Sequence, residues 1–334
     1  MNSYERFYNR LAGRPVDKIP NLNIVMALAA KEAGVSYRVY AQDYHRLVEG
    51  NLRCAEKYGF DTVSAISDPV REAAAFGSEI VFPENGVPYC KKELFHDGYD
   101  LSKLKITDPC DNERTLDRIR AVELFNQEVK GEIPIIGWVE GVLAECADLR
   151  GVSDLMMDLM ESDFDLKELF DIVYDRQCKF AETQIKAGAD IIGIGNAVAS
   201  LIGPALYEEH ALEYDRKLIY FVHENGAKTR LHICGNISPL LPLLRTTGTD
   251  ILDIDWMVDY AKAAARMEGT DTRINGNMDP VGVMERGTVG DVEEKTAACI
   301  AQSGACHMIA CGCEVPAATP EENLTAMNRL LVRS

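Results

Sequence analysis

Along this chain, short apolar runs alternate with longer stretches in which apolar residues recur every three to four positions. The first pattern suits a strand buried on both faces, and the second an amphipathic helix. A punctuation joins the two. "KYGFDTVSAIS" (57–67), "KAGADIIGIGN" (186–196) and "TTGTDILDIDW" (246–256) each pass from a helix end through Gly, one residue and Asp into an apolar segment. Gly there suits the left-handed residue that closes a helix. "ENGAKTRLHIC" (224–234) and "GTDTRINGN" (269–277) are weaker copies.

Amphipathic helices are predicted over 42–57, 113–129, 163–186, 206–224, 257–267, 291–303 and 321–331. Strand and helix alternating in this way predict a parallel α/β sheet. About eight such units over roughly 250 residues or more point to a closed (β/α)8 TIM barrel, here one domain over 1–334. An open doubly wound sheet is the alternative. It lacks support because no G-x-G-x-x-G turn follows a first strand, and "GIGNAV" (193–198) comes late without its third Gly. One segment breaks the alternation. "AFGSEIVFPENGVPYCKKELF" (75–95) alternates apolar and polar residues around Glu84-Asn85-Gly86, which predicts an inserted β-hairpin. Such a hairpin either covers the barrel mouth or decorates the surface.

Composition narrows the function classes. With 334 residues, 47% hydrophobic, the chain can bury a large core. No run approaches the roughly 18 to 20 apolar residues of a membrane span, and "MNSYERFYNRLAGRPVDKIP" lacks the apolar centre of a signal peptide, so a cytoplasmic location is expected. A formal net charge of −18, with no Lys/Arg cluster to offset it, argues against nucleic acid and anionic membranes as partners. The 10 cysteines are expected to be reduced, and each alone reads as a small buried hydrophobe.

In a barrel, reactive groups sit where strands meet the loops that follow them. Those positions hold Asp68, Glu140, Asn196, His232, Cys234, Asp255, Asn277, Asp279 and Cys313. His232 and Cys234 in "RLHICGN" are two apart, so on a strand both project to one face. Imidazole and thiolate are ligands of Zn2+, which needs further donors in tetrahedral geometry, and Cys313 closes the last strand at the same mouth. Cys311 has the right parity but lies deeper. Packing explains such a pair as well as a metal does, so spacing alone leaves both open.

At these positions the sequence resembles the uroporphyrinogen decarboxylase superfamily. The resemblance rests on "LAGRPVDKIP" (11–20), "DTVSAISDP" (61–69), "NGNMDPVGVM" (275–284) and "CGCEVPAATPEENLTAM" (311–327) and runs over essentially the whole chain. Two branches compete: the decarboxylase, and cobalamin-dependent methyltransferases that carry zinc through His-x-Cys and a distant Cys. The decarboxylase branch has Arg-Gln-Ala-Gly after the opening proline and Gly-His-Gly near the C-terminus. This chain has "NLNIVMALAAKEAG" and Gly312-Cys313-Glu314 instead. The methyltransferase branch is the better match.

That branch implies an enzyme with zinc on His232, Cys234 and Cys313. "GWVEGVLAECADLRG" (137–151) resembles its segment after a barrel strand, and makes Glu140 a fourth exchangeable ligand or nearby base, with Glu145 as fallback. A carboxylate favoured by a helix N-terminus is the plainer explanation of Glu140. Asp255 and Asn196 are assigned to orienting ligands and substrate, and Asn277, Asp279 and Asp68 to the cofactor side. A plain helix cap, with Pro280 at the first helical position, accounts for Asp279 equally well. Asp68 matches the acidic position decarboxylation relies on and keeps that reaction as a second alternative.

The resemblance further implies methyl transfer between a small molecule and the cobalt of a corrinoid. No Asp-x-His-x-x-Gly segment supplies a lower cobalt ligand, so a separate corrinoid protein is the expected partner. The substrate is expected to be an aromatic methyl ether, walled by Trp138, Trp256, Met257 and Tyr260 and demethylated as in an O-demethylase system, although barrel core explains those residues too. Transfer from methylcobalamin to a coenzyme M-type thiol is the first alternative. A homodimer is the oligomeric state left open.

Overall fold

Eight extended segments form the predicted ring, and the computed structural model describes residues 1–161 and 166–332 of it. The regular strands are β1 (Val63–Ser64), the hairpin arms β2 (Ile80–Val81) and β3 (Tyr89–Cys90), then β4 (Ile135–Glu140), β5 (Ile191–Gly195), β6 (Lys228–His232), β7 (Ile251–Asp253) and β8 (Arg273–Asn275). All but the hairpin arms pair in parallel, in the order β1-β4-β5-β6-β7-β8. Two irregular extended segments close the ring. Asn275 bridges to Met308 and Ile309 to Asn21, while the Asp61 N–H donates to the Asn21 carbonyl at 2.9 Å. The fold is therefore a (β/α)8 barrel.

The Gly-x-Asp punctuation has a common structural cause. Gly59 and Gly188 end their helices at φ 67° and 119°, values that side-chain-bearing residues avoid. The acids that follow stitch the lower rim. Asp61, Asp190 and Asp250 accept the backbone N–H of Asn21, Ile135 and Thr229 at 2.8, 2.9 and 2.9 Å, each tying its own strand to the start of the strand before it. The repeat thus marks the end of the barrel opposite the reactive face.

Strand parity separates two packed layers. Ile136, Trp138, Ile191, Ile251 and Met308 point into the lumen, plugged from below by Phe7 and Leu11 of the helix Ser3–Leu11. Their strand neighbours Ile135, Val139, Ile192, Ile194, Leu231, Leu252 and Ile274 pack outward against the helices. Arg10 of the plug is buried, its guanidinium donating to the Ala305 and His307 carbonyls at 2.7 and 2.9 Å.

The helices Glu113–Val129 and Glu321–Leu331 span their predicted ranges, Tyr44–Tyr58, Lys167–Ala187 and Val289–Gln302 lie within a few residues of theirs, and in the range 206–224 the α-helix Leu212–Glu224 follows a π-helical turn, Tyr207–Ala211. Residues 163–165 of the predicted 163–186 helix lie outside the described residues. The helix predicted over 257–267 starts only at Tyr260, capped by Asp259, because the segment after β7 first makes a turn. Short helices such as Arg71–Phe76 and Val142–Arg150 were not anticipated. Nearly every side chain of Val142–Arg150 is buried, so it shows no amphipathic period. The hairpin is also shorter than 75–95: Arg71–Phe76 takes up its start, and only Ile80↔Cys90 and Val81↔Tyr89 pair.

Candidate metal centre

β6 carries Arg230 and His232 on its lumen face, and Cys234 continues that face beyond the strand end. Cys313 arrives from the segment after the last bridge. The His232 Nε2 lies 3.2 Å from the Cys234 Sγ and 3.7 Å from the Cys313 Sγ, and the two sulfurs are 3.7 Å apart. Tetrahedral zinc bonds of about 2.0 Å to nitrogen and 2.3 Å to sulfur separate N from S by about 3.5 Å and S from S by about 3.8 Å. The triangle therefore fits one shared Zn2+. Among the described residues, no other group of three His, Cys, Asp or Glu side chains converges in this way.

The opposite face of the imidazole is fixed. His232 Nδ1 lies 2.9 Å from Asp253 Oδ2, and Asp253 is held in turn by Arg230 Nε at 2.9 Å and Asn275 Nδ2 at 2.7 Å. Nδ1–H therefore donates to the carboxylate and leaves the Nε2 lone pair for a metal. Burial opposes a charged His232, but the Cys234 sulfur and Asp253 outweigh it and raise its pKa well above the ordinary value. The hydrogen bond between the thiols raises Cys234 and, together with His232, lowers Cys313 to about 4. The three groups thus share protons that a divalent cation would displace.

The centre opens on a cavity of about 140 Å³, walled by Ile24, Met26, Ile66, Trp138 and Ala197 and by the carboxylates Asp68, Glu140 and Glu314. Its room comes from β5. A Cβ on Gly193 would strike the Trp138 ring, and one on Gly195 would sit 2.6 Å from Glu140 Oε2. Glu140 is buried and bound to Arg71 Nη2 at 3.0 Å, and burial pushes its carboxyl well up. Asp68 accepts from Ser67 Oγ at 2.6 Å and from Arg114 Nη2 at 2.5 Å. Arg114 also stacks over Phe82, which is how the hairpin segment reaches the site.

The other residues expected at the site are engaged elsewhere. Asp255 supports the turn after Cys234 by accepting the Gly235 N–H at 2.7 Å. Asn196 donates to both Asp215 oxygens at 3.1 and 3.0 Å, behind the barrel wall. Asn277 donates to the Asp255 and Val258 carbonyls, and Asp279 accepts the Val281 and Gly282 N–H groups as a cap. Glu145 is fully buried and away from the cavity lining. Cys311 packs in the core. Of the four expected walls only Trp138 lines the cavity. Trp256 and Met257 are exposed, and Tyr260 is buried with its hydroxyl donating to the Met308 carbonyl at 2.8 Å.

Three residues escaped the sequence reading: Asp253, Arg230 and Glu314. Asp253 pairs directly across from His232 in the β6–β7 register. Its signal was an acid on the same face of its strand as Asp255, two positions earlier.

The family model described as Uroporphyrinogen decarboxylase (URO-D) matches residues 2–332. Among curated relatives, "Methylcobamide:CoM methyltransferase MtbA" of Methanosarcina mazei is 28% identical over 330 residues, covering 97% of this chain and 95% of its own. A "Uroporphyrinogen decarboxylase" of Carboxydothermus hydrogenoformans is 21% identical, covering 97% and 86%. Among solved structures, a "methyltransferase from Methanosarcina mazei" superposes with a TM-score of 0.90 at 23% identity, covering 99% of this chain and 98% of its own.

Proposed function

We propose, from the premise that this chain belongs to the uroporphyrinogen decarboxylase (URO-D) family, that it is a corrinoid-dependent methyltransferase acting on a small thiol. The observation that carries this reading is the His232–Cys234–Cys313 triangle, open on one side to a cavity and oriented from behind by Asp253. A decarboxylase acting on an acidic tetrapyrrole has no use for such a donor set, and among the described residues no Lys or Arg lines this cavity to pair carboxylates. The relatives named methylcobamide:CoM methyltransferases support the thiol reading over ether demethylation. The aromatic slot an ether would need is reduced to Trp138.

When bound by the three donors, Zn2+ would supply Lewis acidity that lowers the pKa of a thiol entering the open side. The chain's own residues do the rest. Asp253 keeps His232 in the ligating tautomer, and Asp255 holds the backbone beyond Cys234. Glu140, fixed by Arg71, lines the cavity with a proton affinity raised by burial, and we assign it to receive the thiol proton. Ile24, Ile66 and Trp138 exclude water from the acceptor sulfur. That sulfur forms the new S–C bond while the cobalt–carbon bond of the methylated corrinoid breaks and its electron pair stays on cobalt. The corrinoid is brought by a separate protein.

Metal analysis of protein prepared without chelator tests the reading together with an assay of methylcobalamin consumption in the presence of 2-mercaptoethanol. We expect one zinc per chain and a thioether product, with both lost in Cys313→Ala. Metal-free decarboxylation of the tetrapyrrole, or full methyl transfer by folded Cys313→Ala, would refute it.

A further inference from the structure

The relatives' named acceptor carries a sulfonate, which raises the question of what charge this cavity accepts. We infer that it selects a small thiol bearing an ammonium group and rejects anionic thiols; this rests on the thiol methyltransferase reading above. Three carboxylates, Asp68, Glu140 and Glu314, line the cavity beside the metal donors, and among the described residues no Lys or Arg does. The two nearest guanidiniums stand behind the wall and are already engaged. Arg71 is shared by Glu140 at 3.0 Å and Glu72 at 3.3 Å, and Arg114 is bound to Asp68 at 2.5 Å.

The two guanidiniums are divided among Asp68, Glu72 and Glu140, and among the described residues none pairs with Glu314. A divalent ion held by two thiolates and one imidazole is itself neutral, so it adds no counter-charge. One polar atom also points to a missing donor. Asp68 is 1% exposed, yet its Oδ1 has no hydrogen-bond partner among the described residues. A buried acceptor of this kind is costly unless a donor arrives, and an ammonium brings three. Burial pushes the Glu140 carboxyl up in the same sense, as expected of an acid short of counter-charge. A sulfonate in this position would meet carboxylates and no cation.

Three thiols of equal length separate the cases: cysteamine, 2-mercaptoethanol and 2-mercaptoethanesulfonate. Calorimetric binding to the zinc-loaded protein should rank them in that order, with cysteamine favoured over the sulfonate by roughly tenfold or more. Their S-methyl forms, which have no ionisable thiol, should keep the order. Equal or tighter binding of the sulfonate overturns the inference. Asp68→Asn frees Arg114 and should narrow the gap, as should Glu140→Gln if the first variant folds poorly. A gap unchanged in a folded variant of either kind also overturns it. Methyl transfer from methylcobalamin is measured separately. Absent transfer with the charge order intact refutes thiol methylation and leaves the charge selection standing; transfer with the sulfonate preferred does the reverse.

Discussion

Replacing Asp253 by Asn removes one charge from behind the metal ligands while leaving every ligand atom in place. Asp253 is 3% exposed and joins His232, Arg230 and Asn275. Burial opposes its charge, but Arg230 and His232 hold its pKa below the usual carboxylate range, so it is ionised at neutral pH. The amide can still accept from His232 Nδ1–H, but it no longer strengthens the imidazole as a donor. Partners of this type are worth about 10- to 100-fold in metal affinity, or about 1.4–2.8 kcal/mol. A second cost falls on folding. Arg230 would be left buried without its counter-charge, a loss of about 3–5 kcal/mol when one member of such a pair is removed. Asp253→Asn combined with Arg230→Gln takes out both charges and should recover most of that stability while the affinity stays low. Competition with a chromophoric chelator reads the zinc constant, and thermal unfolding of the metal-free protein reads the folding cost. A folded variant, single or double, that binds zinc within twofold of the wild type would show that Asp253 does not tune the centre.

Other expectations separate the two ends of the barrel. Asp190→Ala removes the acceptor of the Ile135 N–H at the lower rim, so thermal unfolding should show a loss of about 1–3 kcal/mol with zinc affinity unchanged. Gly193→Ala drives a methyl group into the Trp138 ring; overpacking of this kind costs about 1–3 kcal/mol, and the tryptophan fluorescence and thiol affinity should change with it. His307 has its pKa lowered to about 4, first by burial and then by Arg273 and Arg10, while its Nδ1 accepts the Ile274 N–H at 3.1 Å. An unfolded chain would bind this proton near pH 6.5 and the folded one would not. Its contribution is therefore complete above about pH 6.5 and lost as pH falls toward 4. In His307→Gln the melting temperature should decline less over that window, by on the order of 2–4 °C, and identical pH profiles would exclude the assignment.

Much of the fold was legible because its signals are local. A helix closed by Gly, a fixed-distance Asp and an apolar run each depend on a few neighbouring residues, so the repeat at Gly59-Phe60-Asp61, Gly188-Ala189-Asp190 and Gly248-Thr249-Asp250 announced strand after strand. The two-residue separation of His232 and Cys234 likewise set them on one face, since a strand alternates its side chains. Strand order brought Cys313 to the same mouth and the family resemblance made it the third ligand; the structure puts its sulfur 3.7 Å from the imidazole.

The chain order by itself determined element type, strand parity and the pairing of His232 with Cys234, because these follow from backbone geometry within a turn or a strand. Tertiary structure alone decided what lies across from what. Asp253 stands beside His232 through the register of two neighbouring strands, and Trp138 and Glu140 occupy space left by the glycines of β5. Asn196, Asn277 and Asp279 looked equivalent to the ligands in sequence, yet once a strand gives way to a loop no period fixes direction, and each turned to a backbone or carboxylate partner instead. The acidic wall of the cavity arises in the same way, from residues 68, 140 and 314 that only closure of the ring brings together.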